Sequence, residues 1–123
     1  MQLVLVMLGG AIGAGARHLT GQAVQALAGP GFPHGTLAVN VVGGFLMGLL
    51  AGALAGGTVG ESGRLFLGVG VLGGFTTFST FSLDLVTLAS RGQTGAVALY
   101  LLLSVAGSVG ALAAGLRIAE VVR

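Results

Sequence analysis

Gly73-Gly74-Phe75-Thr76-Thr77-Phe78-Ser79-Thr80-Phe81-Ser82 places a helix-breaking glycine pair and a dense row of hydroxyls and rings inside an otherwise apolar run. In a bilayer, freed N–H and C=O groups find no water, so irregular backbone survives only where protein buries it or where it lines a wet cavity. The stretch therefore reads as a break in a membrane helix and as a candidate ion site.

The rest of the chain supports a lipid setting. Of 123 residues, 54% are hydrophobic and 7% charged, with a mean hydropathy of +1.05. A soluble domain carries about 25% charged residues, and so short a chain could not hide this much apolar surface by folding on itself. There is no cysteine, which excludes disulfides and thiolate metal sites and leaves the redox compartment open. Five arginines stand against three acids without forming a basic face, so nucleic acid is not an expected partner.

Measured against the roughly 20 residues a helix needs to cross a bilayer, the apolar runs predict an all-α protein with four spans. These are residues 3–27, 34–56, 64–90 with a break at 73–77, and 94–119. Gly29-Pro30-Gly31 ends the first, and Pro33 precedes the second. Gly56-Gly57-Thr58 with Gly60-Glu61-Ser62, and then Arg91-Gly92-Gln93, form the later turns; Arg117, Glu120 and Arg123 close the chain. The first span is too long for a cleaved signal peptide and lacks its basic start. All four belong to one transmembrane unit, with no second domain expected.

Glycine recurs every four residues at Gly44, Gly48, Gly52 and Gly56. Such a row lets another helix backbone approach closely, which is how membrane helices associate. Gly9 with Gly13, and Gly107 with Ala111 and Gly115, repeat the device. Arginines fall almost evenly on the two sides, with Arg64, Arg117 and Arg123 opposite Arg91 and Arg17, so the positive-inside rule gives little preference. A chain that inserts both ways can pair with itself, and a thin bundle of four helices makes an antiparallel dimer the economical expectation.

Several polar residues within the spans are candidates for chemistry. Free carbonyls near Gly73 and Thr76 suit a hard cation such as Na⁺; a kink re-satisfied by the Thr76 and Thr77 hydroxyls is the alternative. Phe78 and Phe81 share a helix face, and a ring's positive edge can favour a small anion weakly, as conduction needs. Tyr100, Ser104 and Ser108 recur every four residues and lay hydroxyls along one face, where a lone serine would bond its own backbone. Asn40 offers an amide at similar depth, either to an anion or to a neighbouring helix. Arg17 is an intramembrane charge, a candidate for drawing anions into a vestibule or a snorkelling interfacial residue. Asp84 is either its partner or interfacial. His18 and His34 are too few for a metal site.

Taken together, these residues resemble the small bacterial fluoride channels of the Fluc or CrcB family. The likeness spans nearly the whole chain. It rests on Gly9-Gly10, Gly13-Ala14 and Arg17-His18 in the first span, and on Thr36-Leu37-Ala38-Val39-Asn40-Val41-Val42-Gly43 in the second. It continues through the complete 73–82 string and Tyr100, Ser104 and Ser108. The resemblance implies a dual-topology antiparallel homodimer in the bacterial inner membrane, with two fluoride pores and a structural Na⁺ at its centre. It implies Na⁺ ligation by the carbonyls of Gly73 and Thr76. The implied pore residues are Thr36, Asn40, Phe78, Phe81, Tyr100, Ser104 and Ser108, with Arg17 in the vestibule. Family members export fluoride passively after HF enters and dissociates. His18 departs from the tyrosine common after the arginine.

A small four-helix multidrug/proton antiporter is the competing class, but it needs a carboxylate in its first helix, and Met1 to Leu27 contain none. A scaffold held by glycine seams would leave the aligned hydroxyls without a purpose. No acid pair, activated nucleophile or metal cluster suggests an enzyme.

Overall fold

The computed structural model describes Met1–Val122; Arg123, counted above among the cytoplasm-favouring charges, lies outside the described residues. The element order is α1 (Gln2–Ala28), α2 (His34–Ala55), α3 (Glu61–Gly63), a π-helical stretch (Arg64–Leu72), α4 (Gly73–Phe75), α5 (Phe78–Ser90) and α6 (Thr94–Val122). Four helical spans, the third being Glu61–Ser90 with its interruption, are long and apolar enough to cross a membrane. At 1.5 Å per residue even the 22 residues of α2 cover about 33 Å, enough for the hydrocarbon core.

The ends follow local chemistry. Gly29 and Gly31 take φ of 92° and 98°, the left-handed region open to glycine, and turn the chain between α1 and α2. The third span starts three residues earlier than the sequence suggests, because Glu61 pairs with Arg64 one turn on at 2.7 Å and lets a polar turn join the helix. The fourth continues to Val122 through the Arg117–Glu120 pair at 4.0 Å.

The helices touch through backbone. In α1 only Gly9 and Gly13 are buried. A Cβ on Gly9 would lie 2.9 Å from the Gly70 Cα in the π-helical stretch, and one on Gly74 would lie 2.5 Å from the Gly10 carbonyl oxygen. In α2, a Cβ on Gly44 would come within 2.8 Å of the Ser108 carbonyl oxygen, one on Gly48 would overlap the Leu112 carbonyl, and one on Gly52 would overlap the Ala119 Cβ. The expected seam thus forms between α2 and α6, with Gly115 answering from the other side against the Phe45 carbonyl. Gly56, the last of the row, caps α2 with its N–H on the Gly52 carbonyl.

The interior is correspondingly small. Val39, Leu50, Leu72, Phe75, Phe81, Leu88, Tyr100 and Ala119 are the buried apolar residues, while leucines and valines along α1 and α6 face outward. That arrangement places hydrocarbon where a soluble protein would place charge.

The expected break at 73–77 is narrower than the sequence suggests. Both Gly73 and Gly74 are helical, and the interruption is Thr76-Thr77, with φ/ψ of −86°/156° and −149°/124°. The glycines serve close packing on α1, and the extended conformation falls on two β-branched residues that favour it.

Candidate functional site

The interruption is held by four sets of hydrogen bonds. The Thr76 N–H and its hydroxyl both donate to the Leu72 carbonyl at 3.0 Å, finishing α4. The Thr77 hydroxyl accepts from the Thr80 N–H at 3.2 Å and so caps α5. From α2, the Asn40 amide pairs with both backbone groups of Thr77: Nδ2 donates to the Thr77 carbonyl at 3.0 Å, and Oδ1 accepts from the Thr77 N–H at 2.8 Å. From α1, the Arg17 Nε donates to the Gly74 carbonyl at 3.0 Å. A side-chain amide thus replaces the missing turn of helix, and a guanidinium satisfies a helix-end carbonyl. Among the described residues, the carbonyls of Gly73 and Thr76 show no hydrogen-bond donor.

Beside the interruption lies a cavity of about 450 Å³, open on one side, which gathers Asn40, Thr76, Phe78, Phe81, Ser104 and Ser108. Ser104 is the informative member. It is 6% exposed, and its Oγ has no hydrogen-bond partner among the described residues. A buried hydroxyl left unpaired costs about 1–3 kcal/mol, so its presence in the cavity wall marks a place for something polar. The second N–H of the Asn40 amide is a further free donor, because only one bond from Nδ2 is used by the protein. No lining residue carries charge.

Rings continue from the cavity. Phe78 and Phe81 stand 5.5 Å apart between centroids at 59°, and Phe81 lies 5.2 Å from Tyr100 at 54°. Phe81 is buried, whereas Phe78 is 77% exposed and uncovered within one chain.

The hydroxyl track is thereby divided. Ser104 and Ser108 line the cavity, but Tyr100 lies behind Phe81, fully buried, and donates to the Asp84 Oδ2 at 2.9 Å. Thr36 belongs to two smaller cavities nearer the α1–α2 turn. One, of about 270 Å³, includes Asp84 and Arg91; the other, of about 290 Å³, includes Arg17 and His18. Arg17 and Asp84 do not pair: each has its own partner, a helix-end carbonyl and a phenol.

Two features were not read from the sequence. Gln25 ties down the α1–α2 turn, its Nε2 donating to the carbonyls of Gly29 at 2.7 Å and Phe32 at 2.9 Å while its Oε1 accepts from the Gly35 N–H at 3.1 Å. The available signal was an amide four residues before a turn glycine. The Asp84–Tyr100 bond joins residues sixteen apart across the Arg91 turn, which no helical spacing reveals.

Comparison with known proteins agrees on one family. A profile described as "CrcB-like protein, Camphor Resistance (CrcB)" matches residues 4–116. The chain is 59% identical over 112 residues to the "Fluoride-specific ion channel FluC" of Sphingopyxis alaskensis, covering 90% of this chain and 89% of that one. It is 57% identical over 119 residues to the protein of that name from Chelativorans sp., covering 96% and 95%. With the one from Caulobacter vibrioides strain NA1000 it shares 50% over 121 residues, covering 97% and 95%.

Proposed function

The chain belongs to the CrcB family, and on that premise we propose that it is a fluoride-selective channel through which fluoride leaves the cytoplasm passively, relieving its toxicity. The observation that carries the reading is the buried, partnerless hydroxyl of Ser104, a residue lining the cavity that Asn40, Phe78 and Phe81 share. A small anion sheds a strongly held hydration shell on entering a narrow passage, and unpaired polar groups in a dry setting are costly. The Ser104 and Ser108 hydroxyls and the spare Asn40 N–H supply donors, and the edges of the two rings add weak positive potential. Because no cation lines the cavity, binding stays shallow enough for release, as conduction requires. Tyr100, held on Asp84, and Thr36 extend the polar route toward the α1–α2 turn, where Arg17 raises the local anion concentration.

The functional unit in this reading is an antiparallel homodimer of dual topology in the bacterial inner membrane, with one pore on each side of its centre. The balanced arginines, the open side of the cavity and the uncovered Phe78 ring support it. A structural Na⁺ fits the same scheme. The donor-free carbonyls of Gly73 and Thr76 are hard oxygen ligands, and two copies would offer four of them. When bound, the ion would satisfy these carbonyls and join the two interruptions. The protein's own residues hold Thr76 and Thr77 in place through Leu72 and Asn40.

The test is efflux from proteoliposomes loaded with potassium fluoride, started by a potassium ionophore. Rapid fluoride release with chloride retained is expected; equal release of both anions would end the selectivity claim.

A further inference from the structure

We infer that Gln25 is a positioning residue for conduction: by fixing the α1–α2 turn it sets Phe32 against Tyr100 and Thr36 between the two mouth cavities, and the fluoride current through each channel depends on that setting. The inference rests on the channel reading above, in which Tyr100 and Thr36 carry the polar route toward this turn. Gln25 lies in the last turn of α1 and reaches three backbone groups. Its Nε2 donates to the carbonyls of Gly29 at 2.7 Å and Phe32 at 2.9 Å, and its Oε1 accepts from the Gly35 N–H at 3.1 Å. Both N–H bonds of the amide are thereby used. The bond to Gly35 satisfies a free donor at the start of α2, where Pro33 makes no side-chain capping bond.

The turn needs such a clamp. Gly29 and Gly31 hold φ of 92° and 98°, and glycine moves among backbone conformations with little steric hindrance. The backbone bonds at the turn, from the Gly29 N–H to the Gln25 carbonyl and from the His34 N–H to the Phe32 carbonyl, both at 2.9 Å, are local. Gln25 instead joins α1, the turn and α2 through one side chain. Two of the residues it fixes reach the proposed route. The Phe32 ring stands edge-on to Tyr100, with centroids 5.5 Å apart at 82°, and packs on the buried cluster of Phe81, Leu88 and Tyr100. Since Phe81 lies 5.2 Å from Tyr100 and 5.5 Å from Phe78, Phe32 ends a row of four rings that runs from the turn to the cavity beside the interruption. Thr36 follows Gly35 directly, and Gln25 and Thr36 are the two residues common to the cavities of about 270 and 290 Å³. Movement of this amide therefore shifts a wall of both mouths and the outer end of the ring row together.

The experiment is single-channel recording of fluoride current across planar bilayers at fixed pH. A residue that only supports folding changes how many channels appear, whereas a positioning residue changes the current through each one. Gln25→Met, similar in shape but unable to make the three bonds, should lower unit current about threefold, because a turn freed of them divides its time among several arrangements. Gln25→Asn, whose amide is one methylene short of the turn, should lower it as well, and carries the comparison should Gln25→Met yield no channels. Phe32→Leu leaves the Phe32 carbonyl to Gln25 and removes the ring from Tyr100. It should lower unit current too, and combined with either Gln25 variant should give less than the product of the two losses. Gln25 variants or a Phe32→Leu variant with the natural unit current, whatever the number of channels, or a double variant showing the full product, overturn this inference alone. No fluoride current from the natural chain overturns the channel reading and the inference with it.

Discussion

Replacing Asn40 with alanine separates the fold of the interruption from its chemistry. The substitution removes the 3.0 and 2.8 Å bonds that occupy both backbone groups of Thr77, the residue where the third span is most extended. Side-chain hydrogen bonds in bilayers average about 0.6 kcal/mol, giving about 1 kcal/mol for the pair. Should both Thr77 groups be stranded dry, the penalty reaches about 1–3 kcal/mol each. The adjoining cavity of about 450 Å³ has room for water to replace part of the lost bonding. A net cost of about 2 kcal/mol is therefore expected, roughly a thirtyfold shift toward the unfolded form. Equilibrium unfolding in mixed micelles, followed by helical circular dichroism, measures it, and efflux from proteoliposomes should fall in parallel. Asn40→Gln, one methylene longer, should recover little, because the amide must meet an N–H and a carbonyl of one residue together. An alanine variant as stable as the parent and equally conductive would refute the view that this amide replaces a turn of helix.

Ser104→Ala should act in the opposite way. It removes a buried hydroxyl that bonds nothing among the described residues, so stability should change by less than about 0.5 kcal/mol while fluoride efflux drops; equal losses of both would show that the hydroxyl is structural. Phe81→Ile deletes a ring 5.5 and 5.2 Å from its two aromatic neighbours, and should lower efflux with a stability cost of about 1 kcal/mol by the same unfolding assay. Gly48→Ala drives a Cβ into the Leu112 carbonyl and should cost about 1–3 kcal/mol, whereas Gly15→Ala, with open space around it, should be neutral or slightly stabilising.

The four spans were legible because lipid imposes a crude requirement, a long apolar run, that composition alone satisfies. The seam partners Gly44, Gly48 and Gly52 were legible because small residues at a four-residue spacing have one effective use in a membrane helix. The interruption was legible to within the stretch 73–77, but not which of its residues would be extended. Gly73-Gly74 has the local propensity to break a helix, but close contact with α1 uses those glycines in helical form and displaces the irregularity to Thr76-Thr77. The partners of Arg17, Asn40 and Asp84 were equally hidden, since each bond joins different helices and depends on how those helices are rotated against one another. Residue type marked Asn40, Phe78, Phe81, Ser104 and Ser108 as candidates, and packing brought them to one cavity. Tyr100 shares their helical spacing, yet its longer side chain reaches past Phe81 to a carboxylate.

The direct backbone contact between helices divides this chain's tolerance of mutation unevenly. Along the outward faces of α1 and α6, many leucines, valines and isoleucines stand largely clear of the rest of the chain, and exchanging one for another asks little of a neighbour within it. At Gly9, Gly13, Gly48 and Gly115 a single added methyl meets a carbonyl that cannot rotate aside, so a whole rod must shift. Drift in such a sequence is therefore confined to its rim, and the positions with the smallest side chains have the least freedom to change.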